Sequence, residues 1–214
     1  MEASRWYLVR HGETAWNRES RFQGQADPPL NDAGRTQART VAKRLAAVSF
    51  AAAYASDLGR VTQTAAAVAR GRELRVTELA ELREKGFGEW EGLTYREAEA
   101  RDPEHYRRIF RAPTYDEDTA PPGGESDLQM LGRVSGVARR LRDEHGGRDE
   151  NVLIVGHGGS LCALIVSLLG LPSRAIWRFR IANCGLSQVT VFDDGAATLD
   201  LFNDTGHLRS CAAH

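Results

Sequence analysis

Two apolar segments far apart in the chain each end in a histidine beside glycine, and this repeated pattern constrains the fold more than any other feature. Residues 6–9 are an apolar and aromatic run of strand type, followed closely by His11 and Gly12. Residues 151–155 are a nearly continuous apolar run, followed by His157 between glycines. Continuous apolar runs are typical of strands that are buried on both faces of a sheet. The pattern therefore predicts two central strands, each with a histidine where the chain leaves the sheet.

The other apolar patterns predict an alternation of helices and strands. Helices are predicted over residues 32–48, 95–111, 126–145 and 158–169. A further helix is predicted to begin after a cap at Ser56 or Asp57. Strands are predicted over 51–55 and 74–77, and a hairpin is predicted from 186–192 and 198–202. The alternation indicates an α/β fold: a three-layer sandwich with a mainly parallel central sheet and helices on both faces.

Length and composition predict a single domain. The chain has 214 residues, 42% of them hydrophobic, which suffices for one sizeable core. Residues 113–124 are rich in proline and glycine, but this stretch is short and internal, so we interpret it as a loop. We expect one domain over residues 1–214, with a charged helical lid inserted at about 94–124.

The charge balance excludes some classes of partner. With 28 basic and 29 acidic residues the net charge is -1, so no global field favours nucleic acid or a membrane surface. The longest apolar run, residues 161–171, is too short to span a bilayer. Three cysteines without a CxxC pair, and no secretory signal at the first residues, predict a cytoplasmic protein. We expect a small-molecule ligand; the oligomeric state is open, and a homodimer is one possibility.

Four residues with phosphate-binding chemistry are predicted to meet at one edge of the sheet. Arg10, His11 and His157 follow predicted strands, and Arg60 lies on the first turn of the helix after another strand. Ligands of open α/β sheets bind at the carboxyl ends of the strands. Guanidinium groups bind phosphate oxygens in pairs, and a neutral imidazole can attack phosphorus when a carbonyl holds its other nitrogen's proton. The four side chains therefore predict a phosphoryl-transfer site without a metal or cofactor.

A leaving alkoxide needs a proton, and the segment of residues 81–92 offers several carboxylic acids. Glu84 is the first candidate for the donor, and it would act first as an acid and then as a base. Glu81, Glu89 and Glu91 lie close by in sequence and compete for this role. The residues alone do not separate these four candidates.

The sequence of residues 8–17, Leu-Val-Arg-His-Gly-Glu-Thr-Ala-Trp-Asn, resembles the signature of the histidine phosphatase superfamily, the phosphoglycerate-mutase-like proteins. Matches extend over essentially the whole chain, through Arg21, Pro29, Leu30, Gly34, Gln37, Ser56, Asp57, Gly88, Trp90, Gly124, Glu125, Ser126, Gly156, Asn203, Asp204 and Thr205. The resemblance implies that His11 is the nucleophile, that Glu84 is the proton donor, and that the fold is phosphoglycerate-mutase-like. It also implies that the phosphoryl group and substrate are held by Arg10, Arg60, His157, Asn17, Gln23, Gly24 and Gly158.

The resemblance covers both phosphatases and mutases. Mutases of the family must shield phosphohistidine from water, typically with a longer insertion than this chain has. The adjacent Arg107 and Arg108 are similar to a pair that binds a second phosphate in mutases, but Ile109, Phe110 and Arg111 depart from the mutase pattern. We therefore expect hydrolysis of a small phosphomonoester, with phosphoglycerate mutase as the alternative.

Two further hypotheses belong to other classes. His11 and His157 could be zinc ligands, but a third ligand is missing and the adjacent arginines would repel a cation. The chain could also be a non-catalytic phospholigand-binding protein; such proteins are expected to lose the nucleophile or the proton donor, and both are present here. We interpret His105, His145 and His207 as surface or turn residues, His207 being the least secure because it follows an Asn-Asp-Thr turn near the implied site.

Overall fold

The computed structural model describes residues 2–111 and 115–211 and has one central sheet of six strands. The strands are β1 (Ala3–Arg10), β2 (Ala52–Ala55), β3 (Val76–Glu78), β4 (Asn151–Gly156), β5 (Leu186–Phe192) and β6 (Ala197–Asp204). Their order across the sheet is β3-β2-β4-β1-β5-β6. The first four are parallel, and β5 and β6 add an antiparallel hairpin beside β1. The predicted mainly parallel sheet and hairpin are confirmed.

Seven α-helices are found among the described residues. They are α1 (Ala15–Arg18), α2 (Asp32–Arg44), α3 (Gly59–Ala69), α4 (Tyr95–Arg101), α5 (Pro103–Phe110), α6 (Asp127–His145) and α7 (Gly158–Leu168). Short 3-10 turns occur at Ala80–Leu82, Gly88–Trp90, Ser173–Arg178 and Gly206–Cys211. Within the part of the chain that the structure describes, none of the helices is long and apolar enough to cross a membrane.

The two faces of the sheet are covered by different helices. Along β4, Val152 and Ile154 join a core cluster with residues of α6 and α7, whereas Leu153 and Val155 join a second cluster with residues of α2 and α3. This alternation follows from the two-residue period of a strand, whose successive side chains point to opposite faces. The fold is therefore the expected three-layer sandwich, and β4 has buried side chains on both faces.

The charged segment predicted as one helix over residues 95–111 is two helices. Asp102 has an extended backbone, accepts a hydrogen bond from the His105 N–H, and caps α5, whose first residue is Pro103. Proline disfavours helical backbone at the residue before it, so α4 ends at Arg101. Tyr106 and Ala98 from these helices pack with Phe22 and Trp90 in a separate small core. The predicted lid at about 94–124 includes residues 112–114, which lie outside the described residues.

Two other helix predictions need correction. The helix after residue 32 ends at Arg44 and not at 48, because the chain turns at Leu45, where the side chain is fully buried. Neither Ser56 nor Asp57 caps α3: its N-cap position is Leu58, which offers no side-chain hydrogen bond. Asp27, from a distant loop, accepts hydrogen bonds from the Gly59 and Arg60 N–H groups at 2.7 and 3.4 Å.

Candidate active site

Strand register brings the two glycine-flanked histidines together. Parallel pairing of β1 with β4 places Val9 opposite Val155, so the chain leaves the sheet at the same level on both strands. The His11 N–H donates to the Gly156 carbonyl at 3.0 Å, and the imidazole rings of His11 and His157 lie 5.2 Å apart between centroids, at 65°. Both side chains are buried. His11 and His157 therefore lie side by side, as the sequence predicts.

The tautomer of His11 is set by its backbone neighbour. Nδ1 donates to the Gly12 carbonyl at 2.7 Å, and a carbonyl can only accept, so the proton resides on Nδ1 and Nε2 carries a lone pair. Burial lowers the pKa of His11 well below its ordinary value, and repulsion from the Arg10 and Arg60 guanidiniums lowers it further. The ring is therefore neutral near pH 7, which is the state of a nucleophilic imidazole.

His157 is oriented by the hydroxyl of Ser56, a residue that the sequence pattern predicts as a helix cap and that also matches the family. Its Nε2 lies 2.9 Å from Oγ of Ser56, which leaves β2 beside β4. Burial, followed by repulsion from Arg60 and His11, lowers the pKa of His157 well below its ordinary value. Nδ1 is buried and has no hydrogen-bond partner among the described residues. With Ser56 donating to Nε2, a neutral His157 would present an Nδ1 proton to a ligand.

Two guanidiniums beside these imidazoles each keep a buried donor free. Arg60 is completely buried; its Nη1 donates to the Ala26 carbonyl at 2.6 Å and its Nη2 to the Gly24 carbonyl at 2.8 Å. Arg10 donates from Nη1 to the Ile181 carbonyl at 2.6 Å. Within the described chain, Nε of both arginines is buried without a partner. Unsatisfied buried donors are rare in native proteins; these two, together with Nδ1 of the neutral His157, make three, and two of the three are on cations, which suits binding of an oxyanion.

Glu84 lies close to this cluster. Its Oε2 accepts a hydrogen bond from the Gly159 N–H at 2.9 Å, in the first turn of α7. Its carboxylate also acts on the charges of Arg10 and Arg60. Of the four acids in the segment, Glu84 has these contacts, whereas Glu91 accepts from the Gln25, Ala26 and Phe87 N–H groups.

The remaining predicted pocket residues form a polar network around the His11 loop. Thr14 Oγ1 donates to Gln23 Oε1 at 3.0 Å, and Asn17 Oδ1 accepts from the Thr14 N–H at 3.1 Å. Gly24 supplies a carbonyl to Arg60 and has a positive φ of 51°, a conformation that favours glycine. Gly158 lies beside the Arg10 guanidinium: a Cβ built there would be in ordinary van der Waals contact with Arg10 Cζ, at 3.6 Å.

Sequence reasoning missed Asn183, which precedes β5. Its Nδ2 donates to the His11 carbonyl at 3.0 Å and approaches Asn17 Oδ1 at 3.3 Å. The neighbouring Cys184 has a left-handed backbone (φ 52°), and its N–H donates to the Arg10 carbonyl at 3.0 Å. No local pattern marks these residues, because their contacts arise only when β5 pairs with β1.

The other histidines and the lid arginines lie elsewhere. His145 bonds Tyr54 and Glu150 at the opposite edge of the sheet, His105 pairs with Asp102, and His207 Nε2 contacts the Cys184 carbonyl at 3.0 Å. Arg107 and Arg108 are exposed on α5, where Arg108 pairs with Asp116. Within residues 2–111 and 115–211, no group of three histidine, cysteine or acidic side chains could hold a metal ion.

The first turn of α2 packs directly on the His11 loop. A Cβ on Gly34 would lie 2.1 Å from the Glu13 carbonyl, and one on Gly12 would lie 2.4 Å from the Gly34 carbonyl. We expect Gly34→Ala to lower the free energy of unfolding by about 1–3 kcal/mol, since backbone must move apart. Gly132→Ala, on the open face of α6, is the control and should raise it by about 0.5–1 kcal/mol. Urea unfolding measures both, and equal effects of the same sign would contradict the close approach.

Burial of two neutral imidazoles predicts that stability falls in mild acid. Below the ordinary histidine pKa of 6.5 the unfolded chain binds protons at these positions, whereas folded His11 and His157 do not. Their contribution is therefore complete above pH 6.5 and is lost as the pH falls, by up to about 1.4 kcal/mol per pH unit for each ring. Urea unfolding at pH 7.5, 6.5 and 5.5 in phosphate-free buffer measures the slope. His11→Asn should make it shallower; a flat profile in both proteins would refute the burial argument.

Comparisons with known proteins agree with this geometry. The sequence pattern of the histidine phosphatase superfamily (branch 1) matches residues 6–205. Phosphoglycerate mutase-like protein 4 of Arabidopsis thaliana is 37% identical over 94% of this chain and 86% of its own. The structure of the alpha-ribazole phosphatase from Shigella flexneri has a TM-score of 0.82, 32% identity, and coverage of 94% of this chain and 96% of its own. A mycobacterial glucosyl-3-phosphoglycerate phosphatase has a TM-score of 0.81 and 30% identity over 95% of this chain and 100% of its own. The chain therefore belongs to the histidine phosphatase superfamily, in its branch 1.

Proposed function

We propose that this protein is a phosphomonoesterase that hydrolyses a small phosphorylated metabolite through a phosphohistidine on His11. The observation that carries the proposal is the state of the His11 ring. It is neutral, holds its proton on Nδ1 through the Gly12 carbonyl, and lies beside three buried donors that have no partner among the described residues. Such a nucleophile next to two guanidinium donors and one imidazole donor suits attack on a phosphate ester.

The first half-reaction transfers the phosphoryl group to the enzyme. Arg10, Arg60 and His157 bind the phosphate oxygens and balance their charge, while the His11 Nε2 lone pair attacks phosphorus. The bond between phosphorus and the ester oxygen breaks, and Glu84 gives its proton to the departing alkoxide. The product alcohol leaves, and the enzyme holds the phosphoryl group on Nε2.

The second half-reaction returns the enzyme to its starting state. Glu84, now a carboxylate, takes a proton from a water molecule as the water oxygen attacks phosphorus. The P–N bond breaks, His11 recovers its lone pair, and inorganic phosphate is released. Asn17, Gln23, Gly24 and Gly158 complete the pocket in this proposal: the Gly24 carbonyl accepts a hydrogen bond from Arg60, and Gly158 lies beside the Arg10 guanidinium.

Phosphatase activity is favoured over mutase activity by the solved structures that are similar to this chain. Two of these structures are named as phosphatases: an alpha-ribazole phosphatase and a glucosyl-3-phosphoglycerate phosphatase. The curated relative from Arabidopsis has a mutase-like name, which keeps transfer between phosphoglycerate positions as the second candidate. We also propose one domain with a lid at about 94–124, no metal requirement, a cytoplasmic location and a small-molecule partner, with a homodimer as one possible assembly.

A screen of phosphorylated metabolites with detection of released phosphate tests the proposal. We expect phosphate release from sugar or nucleoside monophosphates, unchanged by excess chelator. A mutase would instead transfer phosphate between positions of phosphoglycerate much faster than it releases phosphate. Binding of a phosphorylated metabolite without turnover would favour a non-catalytic protein, and loss of activity in chelator would refute metal independence.

A further inference from the structure

A buried ion pair lies next to the proposed proton donor and has no part in the mechanism above. The ammonium of Lys85 is 1% exposed and lies 2.6 Å from Oδ1 of Asp127, whose side chain is 5% exposed. The same Nζ lies 5.9 Å from the ring centroids of Phe87 and Trp177. A charge removed from water is costly unless it is paired, so each partner requires the other.

The second oxygen of Asp127 joins two more segments to this pair. Oδ2 accepts hydrogen bonds from the Trp177 indole N–H at 2.6 Å and from the Tyr115 hydroxyl at 2.8 Å. Burial, and then the Asp127 charge, raises the pKa of Tyr115, which therefore stays a donor. Asp127 is the first residue of α6. One carboxylate thus connects α6, the segment after the lid helices, the 3-10 turn Ser173–Arg178 and the loop that carries Glu84.

Two of the three partners of Asp127, Lys85 and Trp177, lie against the Glu84 carboxyl group. The Lys85 N–H donates to Glu84 Oε1 at 2.9 Å, so fixing Lys85 fixes a donor to the acid. An ideal Cβ on Gly159 would lie 2.3 Å from Glu84 Oε1 and 3.4 Å from Cη2 of Trp177, so the indole and the carboxyl group lie over the same glycine. Trp177 is 45% exposed, and its indole N–H is fixed by the bond to Asp127.

We propose that Asp127, paired with Lys85, is a positioning residue that aims the Glu84 carboxyl group at the leaving group. It does so by fixing the backbone N–H that binds Glu84 Oε1 and the indole wall beside it. The inference rests on the proposed function of Glu84 as the proton donor. It adds that delivery of this proton depends on a side chain that touches neither the phosphoryl group nor Glu84 itself.

The reactivity of different substrates distinguishes a mispositioned Glu84 carboxyl group from a general loss of folded structure. An alkyl phosphate leaves as a strongly basic alkoxide and needs the Glu84 proton, whereas 2,4-dinitrophenyl phosphate leaves as a weakly basic phenolate and does not. A mispositioned Glu84 should therefore slow the hydrolysis of alkyl phosphates and leave that of 2,4-dinitrophenyl phosphate nearly unchanged. A general loss of folded structure should slow both substrates equally.

The experiment measures kcat/KM of the full chain for glycerol 2-phosphate and for 2,4-dinitrophenyl phosphate. Asp127→Asn keeps the size of the side chain but sets an amide against the Lys85 ammonium. We expect the kcat/KM for glycerol 2-phosphate to fall about 10- to 100-fold, with the value for dinitrophenyl phosphate within about 3-fold of wild type. Glu84→Gln should show the same selectivity more strongly.

Trp177→Phe provides a second variant in case Asp127→Asn folds poorly. It removes the indole N–H from a half-exposed side chain and leaves the ion pair intact, so a smaller loss of the same selectivity is expected. Glu150→Gln is the matched control: this carboxylate also lies against a nitrogen side chain, that of His145, but it precedes β4, at the opposite end of the strands from the site. Both of its kcat/KM values should stay at wild type.

The outcomes distinguish the inference from the function on which it rests. Equal losses on both substrates in Asp127→Asn and Trp177→Phe, or no loss on either, overturn the positioning role. A wild-type protein that hydrolyses neither substrate overturns the proposed function. A Glu84→Gln protein without selectivity overturns the assignment of Glu84 as the acid, and the positioning role fails with it.

Discussion

Replacing His11 with alanine is expected to abolish phosphate release, with a loss of kcat on the order of 10⁴-fold or more. The variant lacks the Nε2 lone pair on which both half-reactions depend, and no other neutral imidazole has the same orientation. His157, the nearest, has its Nε2 bonded to Ser56. The measurement is initial-rate phosphate release from 4-nitrophenyl phosphate. A second readout is acid-labile, base-stable labelling of the protein after a brief reaction with ³²P-substrate, which should vanish in the variant.

His105→Ala is the matched control, because His105 is partly exposed on α5 and pairs with Asp102 away from the cluster. It should retain wild-type rates. A His11→Ala protein that still hydrolyses the substrate, or that still accumulates phosphohistidine, would refute the nucleophile assignment. The rest of the site could then serve binding alone.

Replacing Arg60 with alanine is expected to have the next largest effect, about a 10²- to 10³-fold loss of kcat/KM. Arg60 is fully buried, and its Nε, which has no partner among the described residues, is a proposed donor to the phosphoryl oxygens. Arg60→Lys should recover only part of the loss, because an ammonium lacks the planar fork of donors. Arg5→Ala serves as the control, because Arg5 lies in the amino-terminal half of β1, away from the site, with a half-exposed side chain.

The same variant should change the pH dependence in a defined direction. Repulsion from Arg60 helps to hold the pKa of His11 below its ordinary value, after burial and Arg10. Its removal lets that pKa rise, so the acidic limb of kcat/KM should move to higher pH. A pH profile from 5 to 8 measures the shift. An unmoved acidic limb, together with an unchanged urea unfolding curve, would show that Arg60 does not act on His11.

The sequence predicted the sheet and the central pair of the site for a physical reason. Continuous apolar runs indicate strands that are buried on both faces, and a histidine after each run must then lie at the carboxyl edge. β1 and β4 are neighbours in the sheet, so His11 and His157 meet. The boundaries that failed depend on contacts with distant segments: α3 begins where Asp27 caps it, and α2 ends where Leu45 becomes buried.

The supporting residues of the site could not be predicted from local pattern. Ser56 contacts His157, Asn183 contacts the His11 carbonyl, and Asp127 contacts Lys85, each across a large separation in sequence. A serine, an asparagine or an aspartate is common in loops and at helix starts, so the residue type carries no signal by itself. Asp127 falls within the predicted helix over residues 126–145 and is the first residue of α6, but its carboxylate is buried.

The pairing of β1 with β4 also decides when activity can arise during folding. Residues from near the start of the chain and from beyond its middle must be joined before His11 and His157 meet, and β5 must then dock on the other side of β1 to deliver Asn183. Closing such long loops is slow compared with forming local helices. A partly folded intermediate with intact helices but without β4 beside β1 would have no nucleophile cluster. Recovery of catalysis after dilution from denaturant is therefore a reporter of the last long-range step, and it should lag behind the return of helical circular dichroism.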